Sequence, residues 1–344
     1  MLNIKISMPG FESNINISQF VGNLENCYQN CKFHINNSDV SEVDFWFVID
    51  DLQFPKESVL VDPGHIYFLT AEHVHDVGYY DSYNKGKFLD QFTKIVSCYD
   101  IFRGNAEYDI PFLGWMINAN HGPSMVAETT RDVNWLTKLT NLEKTRTISV
   151  FCSQKTFTPD HHARFKFVET LKKHFGDTLD WFGNGVQSIP EKWDGIAPYK
   201  YHIVLENQSR HNIISEKIYD SYLGLSYPIY WGAPNLSDYF PKESFSQIEI
   251  LDWRNSIKTI EKILLKDNWE QALPALIQSK NIVTTNLNVF SRLAKLAKSH
   301  PPEQLSSKRL VELHSVSNSL SGCIVNKSGK ALVRLGNYLQ SKER

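Results

Sequence analysis

The sequence predicts an α/β protein with two parallel-sheet domains, and three observations carry this. Residues 199–232 read as strand, loop, helix, strand: an apolar run at 201–205, a polar loop, a helical pattern from Ser215, and a second apolar run closing on Gly232. Uninterrupted apolar runs of this length suit strands buried on both faces of a parallel sheet. A second strand-to-helix junction stands upstream, where 148–152 leads through Thr158-Pro159 into a helical pattern. The amino-terminal half has its own series of short apolar runs, and 344 residues suffice for two cores.

Residues 2–8 predict an edge or first strand and 18–31 a short helix. The run 44–49 is a strand closing on Asp50-Asp51. Neighbouring carboxylates on a strand point to opposite faces, so the pair reads as a turn cap rather than a metal site. Strands are expected at 58–62 and 66–70 around Pro63-Gly64, and again at 94–99 and 112–117. Residues 118–146 turn polar, with a helix hinted at Trp135 and Leu136 and a linker at 141–146. In the second half, 148–152 ends at Ser153. Asp160 is the expected N-cap of a helix in which Phe165, Val168, Leu171 and Phe175 recur at helical spacing before Gly176. A strand at 179–182 runs into Gly183-Asn184-Gly185, which alone reads as a turn. After the loop 186–198 and the opening unit come a strand at 248–251 and helices at 255–266, 268–279 and 287–298. The expected division is 1–143, 147–300 and a basic helical tail at 301–344.

Composition excludes several classes. Hydrophobic residues at 42% and charged residues at 22% are ordinary for a globular chain. A formal net charge of −2 offers no global basic field for nucleic acid. The five cysteines lack metal-ligand spacing, which predicts no zinc site and a reducing setting. No signal peptide and no spanning apolar run is visible, so a cytoplasmic location is expected. From Ser306 onward seven Lys and Arg stand against Glu312 and Glu343, and Leu332, Leu335 and Leu339 share a helical face. Such a tail suits peripheral contact with an acidic membrane surface, or a solvated helix packed on the body.

Chemistry is expected beyond the carboxyl ends of the strands, where α/β sheets bind ligands. Glu206, Asn207, Glu216 and Lys217 fall there. Ser215 is the expected N-cap, and Glu216 suits the positive helix end. Lys217 opposes the helix dipole, and a broken local rule points to a functional site. A cation beside free helix N–H groups makes an anion site; the plainer reading is a solvated lysine. Arg164 is a second cation near a helix start, and the two junctions together suggest a pyrophosphate site, with an exposed surface ion pair as the alternative for Arg164. In the first half, Glu72 lies just past a buried strand, where a carboxylate can act as general base. His73 and His75 have no third ligand nearby in sequence and read as loop residues.

The stretch 199–240 resembles the donor-site signature of the α-1,3/4-fucosyltransferases, glycosyltransferase family 10, bacterial type. Leu205-Glu206-Asn207, Ser215-Glu216-Lys217 and Pro228-Ile229-Tyr230-Trp231-Gly232 stand in the places of its parts, with matching spacing. The likeness extends through Ser153, Arg164 and Gly183-Asn184-Gly185 over roughly 147–250, and more loosely to Thr70-Ala71-Glu72. Departures are Ile213 where the family often has an aromatic residue, Ser215 for Thr, and Ala71 for Gly.

The resemblance implies a GT-B architecture of two Rossmann-like domains. It implies inverting transfer from GDP-fucose to a glycan hydroxyl. Arg164 and Lys217 would steady the diphosphate, and Glu216 and Asn207 would contact ribose or nearby groups. Glu206 would lie close to the sugar, Ser153 and Ser215 would line the donor site, and Glu72 would be the base. No metal or other cofactor is called for. The expected partners are a nucleotide-sugar donor and a glycan acceptor, with a surface polysaccharide or lipopolysaccharide as the acceptor class and no nucleic acid. Two alternatives stand beside this: the same fold with another nucleotide-sugar donor, and a non-catalytic glycan- or nucleotide-binding protein.

Overall fold

The computed structural model describes residues 1–10, 17–71, 88–99, 106–117, 131–154, 158–299 and 308–316. Glu72, His73, His75 and the segment 317–344 lie outside the described residues. The chain forms two compact units, one of 1–15, 30–112 and 297–344, the other of 16–29 and 113–296. The expected first boundary at 143 therefore moves to 112. Residues 141–146 are not a free linker but part of the second unit. Lys144 anchors them, its Nζ 2.7 Å from the Ala197 carbonyl, 2.6 Å from that of Gly224 and 3.2 Å from Ser226 Oγ.

In the first unit, β1 (Leu2–Ser7), β3 (Cys31–Ile35), β4 (Phe45–Ile49), β6 (Ile66–Leu69), β7 (Lys94–Ser97) and β8 (Ala106–Tyr108) lie in the sheet order β3-β1-β4-β6-β7-β8. All these pairings are parallel. Strand β4 is buried along its whole length, as the apolar run requires. Its end turns sharply: Asp50 has φ +62°, and its Oδ1 accepts the Ala71 N–H at 2.8 Å, which ties the end of β4 to the residue just past β6.

Three expectations need correction in this unit or beside it. The helix at 18–31 is only α1 (Ser18–Val21), and part of that stretch becomes strand at Cys31–Ile35, where alternation of buried and exposed residues takes over. The strand at 112–117 is irregular, and Ala106–Tyr108 pairs instead. The segment expected as a helical tail begins with β14 (Arg309–His314), which pairs antiparallel with β5 (Lys56–Val61).

The second unit contains α1, β2 (Cys27–Tyr28), α2 (Val133–Lys138), β9 (Arg146–Phe151), α3 (Pro159–Phe175), β10 (Leu179–Phe182), β11 (Tyr199–Leu205), α4 (Glu216–Leu223), β12 (Tyr227–Trp231) and β13 (Ser246–Gln247). Helices α5 (Trp253–Lys266), α6 (Trp269–Thr284) and α7 (Val289–Ser299) follow. Strand 248–251 is thus replaced by the two-residue β13. The sheet order is β10-β9-β11-β12-β13, all parallel. Counted from its first strand this is 2-1-3-4-5, a doubly wound order whose direction reverses between β9 and β11. Ligands of such sheets bind beyond the carboxyl ends of the two strands flanking the reversal, here β9 and β11. The α/β class with parallel sheets is as expected. No helix among the described residues is long and apolar enough to cross a membrane.

Candidate donor site at the switch point of the second sheet

Strand β9 ends in Cys152-Ser153 and β11 in Glu206-Asn207, so the reversal brings these two ends side by side. Gly183 must approach this point closely. It has φ +146°, and a Cβ there would lie 2.6 Å from the Cys152 carbonyl oxygen and 2.9 Å from Ser153 N. Gln154 N–H donates to the Asn184 carbonyl at 3.1 Å, which fastens the Gly183-Asn184-Gly185 turn beside Ser153.

Helix α3 delivers Arg164 to the end of β11. Its N-cap is Thr158, whose Oγ1 accepts the His161 N–H at 3.1 Å, with Pro159 in the first turn. The expected cap, Asp160, sits inside the first turn instead, because Pro159 at the first helical position fixes the start two residues earlier. Arg164 is only 6% exposed. Its Nη1 lies 3.2 Å from the Leu205 carbonyl, 3.1 Å from that of Glu206 and 2.6 Å from Asn207 Oδ1. Its buried Nε has no hydrogen-bond partner among the described residues. Burial presses its pKa down, opposed by Cys152, Glu206, Glu216 and Asp160. The surface-ion-pair reading of Arg164 therefore fails: the group ties α3 to the end of β11 through Nη1, while its Nε–H is without a partner among the described residues.

The second cation stands on α4. Ser215 caps the helix as expected, its Oγ accepting the Lys217 N–H at 3.3 Å. The carboxylate of Glu206 lies beneath this cap with no exposure. Its Oε1 accepts the Ser215 N–H at 2.9 Å and its Oε2 the Ser215 hydroxyl at 2.5 Å. Burial raises its pKa, with Lys217 and the two Ser215 hydrogen bonds pulling the other way. Where the resemblance places Glu206 near a sugar, the structure spends both its oxygens on the helix start. Lys217 Nζ is held 2.9 Å from Glu216 Oε1, 3.2 Å from Ser215 Oγ and 3.9 Å from Glu206 Oε2. It is not a solvated surface lysine, since its side chain is 25% exposed and wrapped by its own helix turn.

The structure thus gathers Ser153, Arg164, Glu206, Asn207, Ser215, Glu216 and Lys217 around β9, β11 and α4. Two groups escaped the sequence reading. Asp220, on α4, has a side chain with no exposure, and it pairs with Lys192 at 2.7 Å. The available signal was a carboxylate inside a helix otherwise apolar at Ile218, Tyr219, Tyr222 and Leu223, since a buried carboxylate requires a cation. The partner could not be read, because it comes from a loop 28 residues upstream.

Chemically, the site offers two cations beside the start of a helix, a set suited to an anionic group with several oxygens. Among the described residues no cluster of three or more His, Cys, Asp or Glu could hold a metal ion.

Comparison with known proteins bears on this site directly. Residues 141–272 match the family described as glycosyltransferase family 10 (fucosyltransferase) C-term. The chain is 30% identical over 76 residues to alpha-(1,3)-fucosyltransferase FucT of Helicobacter pylori, covering 22% of this chain and 16% of that protein. It is also 30% identical over 95 residues to human 4-galactosyl-N-acetylglucosaminide 3-alpha-L-fucosyltransferase 9, covering 26% of this chain and 25% of the relative. The matched segment thus spans a quarter or less of each of these relatives. A solved alpha1,3-fucosyltransferase with GDP aligns at a TM-score of 0.49 and 14% identity, covering 86% of this chain and 91% of that one. The donor-site motif and the residues that converge at β9, β11 and α4 all lie within the stretch 141–272 that matches the glycosyltransferase family 10 (fucosyltransferase) C-terminal domain.

Proposed function

We propose that the chain is an inverting glycosyltransferase that moves fucose from GDP-fucose to a hydroxyl of a glycan, with an α-1,3-type linkage. A surface polysaccharide or lipopolysaccharide is the proposed acceptor class. The observation that carries this is the placement of Arg164 across the ends of Leu205, Glu206 and Asn207, at the sheet's switch point.

As the sugar–phosphate bond breaks, negative charge builds on the diphosphate. Cations already held at the site stabilise that charge. Arg164 presents its unspent N–H, and Lys217 exchanges Glu216 for a phosphate oxygen. Glu216, released from Lys217, and Asn207 are then available to ribose hydroxyls. Glu206 and Ser215 hold the helix start that aims Lys217. The acceptor oxygen attacks the sugar carbon from the face opposite the leaving diphosphate. One carbon–oxygen bond forms as the other breaks, configuration inverts, and the hydroxyl proton passes to Glu72.

The test is a thermal shift with nucleotides followed by GDP release from GDP-fucose in the presence of acceptor glycans. GDP should raise Tm while UDP and CMP should not. Stabilisation by UDP or CMP alone would transfer the reading to another donor. Glu72→Gln should keep GDP binding and lose transfer; transfer at the wild-type rate would remove Glu72 from the mechanism.

The basic segment beyond Val316 is proposed as a peripheral contact with acidic membrane. Truncation after Val316 keeps β14 and should lower sedimentation with anionic liposomes, and equal sedimentation would sink that contact.

A further inference from the structure

Lys192 lies outside the donor motif, in a 3-10 turn (Lys192–Gly195) of the loop before β11. Its ammonium is 2.7 Å from Asp220 Oδ2, with the two side chains 12% and 0% exposed. The other oxygen of Asp220 accepts the Met116 N–H at 2.7 Å. Burial opposes the charge on Lys192, but Asp220, Glu216 and Glu206 outweigh it and raise its pKa. Burial pushes Asp220 the other way, up. Two donors converge on its carboxylate, so the pair stands as ionised.

The pair has a poor rationale as a source of stability alone. Desolvating two charges costs about what their attraction returns, and an apolar pair often serves as well. Its position on α4 supplies a better one. Asp220 is four residues after Glu216, so both carboxylates lie on one face of the helix, where like charges repel. Lys192 feels both, and Glu206 as well. It therefore offsets the repulsion that would otherwise fray the turn bearing Glu216 and Lys217.

The loop that carries Lys192 is itself held from several sides. Glu191 pairs with Arg131, and the Arg131 guanidinium lies 5.0 Å from the centroid of the Trp193 ring. Trp193 meets Trp135 edge-on, with centroids 5.7 Å apart. At the other end of the turn, the Gly195 carbonyl accepts the Ser149 hydroxyl at 2.7 Å. A side chain mounted on so well-tethered a turn acts as a fixed post.

We propose that Lys192 is a positioning residue of the donor site, fixing α4 through Asp220 and with it the aim of Glu216 and Lys217. This rests on the reading of α4 as the diphosphate-binding helix start. Lys192 touches neither the proposed leaving group nor the sugar, and its effect runs through the helix.

The test compares Lys192→Met with Lys280→Met. Lys280 is another buried lysine of the same unit, whose hydrogen bonds go to the carbonyls of Leu136 at 2.6 Å and Thr137 at 3.0 Å on α2 rather than to a carboxylate of α4. Amide hydrogen exchange is followed over 216–223 in the full chain, alongside GDP affinity by calorimetry. Lys192→Met should speed exchange across 216–223 by tenfold or more and weaken GDP by a similar factor. Lys280→Met should leave both within twofold, whatever it does to Tm. If Lys192→Met folds poorly, the double variant Lys192→Met/Asp220→Asn removes the stranded carboxylate together with its repulsion of Glu216, and exchange across 216–223 should still exceed wild type, by less than in the single variant, because the tether from the loop to α4 is lost. Unchanged exchange in the variant that folds, or equal acceleration by Lys280→Met, overturns the proposal. Absence of GDP binding by the wild type would instead overturn the donor reading, and the exchange comparison would still decide the role of Lys192.

Discussion

Glu206 holds Ser215 by both its backbone and its side chain, at 2.9 Å to the N–H and 2.5 Å to the hydroxyl. The residue that ends β11 thereby caps the cap of α4. Strand end and helix start become one rigid piece, and Lys217, two residues on, inherits its position from a carboxylate it faces at 3.9 Å.

Ser215→Ala breaks this piece at one point. A lost N-cap costs about 0.5–2 kcal/mol. Here Glu206 also loses its hydroxyl partner while remaining buried, which adds about 1–3 kcal/mol for an unsatisfied buried oxygen. Urea unfolding should show a loss toward the upper part of that combined range. Ser215→Thr keeps both hydrogen bonds and should lie within about 1 kcal/mol of wild type, as Thr is nearly as good a cap. Equal losses for the two variants would refute the role given to the hydroxyl.

Gly232→Ala tests the same assembly from beneath. A Cβ there would sit 2.4 Å from Glu206 Cγ and 2.4 Å from Tyr230 Oη, and both of those side chains are buried. Overpacking of this kind costs about 1–3 kcal/mol. Because Glu206 must yield, the loss should come with weaker GDP binding, read by calorimetry. A stability loss with unchanged GDP affinity would show that Glu206 can move without moving Lys217.

His202 gives the second unit an acid limit. It lies in β11, fully enclosed, its Nδ1 2.8 Å from Ser149 Oγ. That hydroxyl donates its proton to the Gly195 carbonyl, so Nδ1 carries the hydrogen of the neutral ring. Burial, reinforced by Lys192 and Lys144, pushes the His202 pKa down to about 3. The unfolded chain therefore binds the proton first, near pH 6.5, and stability declines as pH falls from about 6.5 to about 3. At about two pH units below 6.5 the loss is on the order of 2–3 kcal/mol. Denaturant midpoints measured against pH should show this slope, and His202→Gln should flatten it. An unchanged slope in that variant would assign the acid limit to other groups.

What the sequence disclosed follows from the range of each interaction. Strands β9, β11 and β12 were legible because burial on both faces writes an unbroken apolar run. The Ser215 cap was legible because it acts over two residues. Arg164 and Lys217 were legible as misfits, a cation near each of two helix starts. The Thr158 cap was missed because Asp160 has equal capping chemistry, and Pro159 decided between them. Lys192 and Asp220 were hidden because their pairing depends on where a loop folds, which no local pattern records. The purpose of Glu206 was hidden as well. Its sequence position marks it for the site, while only the geometry shows that Ser215 consumes both oxygens.

Arg164→Lys separates charge from shape at the end of β11. A lysine keeps the positive charge but presents a point ammonium in place of a planar fork. The guanidinium spends Nη1 on Leu205, Glu206 and Asn207 and keeps its Nε unbonded. An ammonium placed to serve the three carbonyl-type acceptors has nothing left for a ligand. One placed to serve the ligand abandons those acceptors in a buried setting. Either choice loses one function, so Arg164→Lys should weaken GDP at least about tenfold, the equivalent of about 1.4 kcal/mol for one charge-assisted contact. It should also lower unfolding stability by about 1–3 kcal/mol through the deserted acceptors. Arg164→Ala should do both more severely. Calorimetry and urea unfolding on the same samples decide the matter: GDP affinity within twofold of wild type in Arg164→Lys would mean that charge alone suffices and that the fork at the end of β11 serves the fold only.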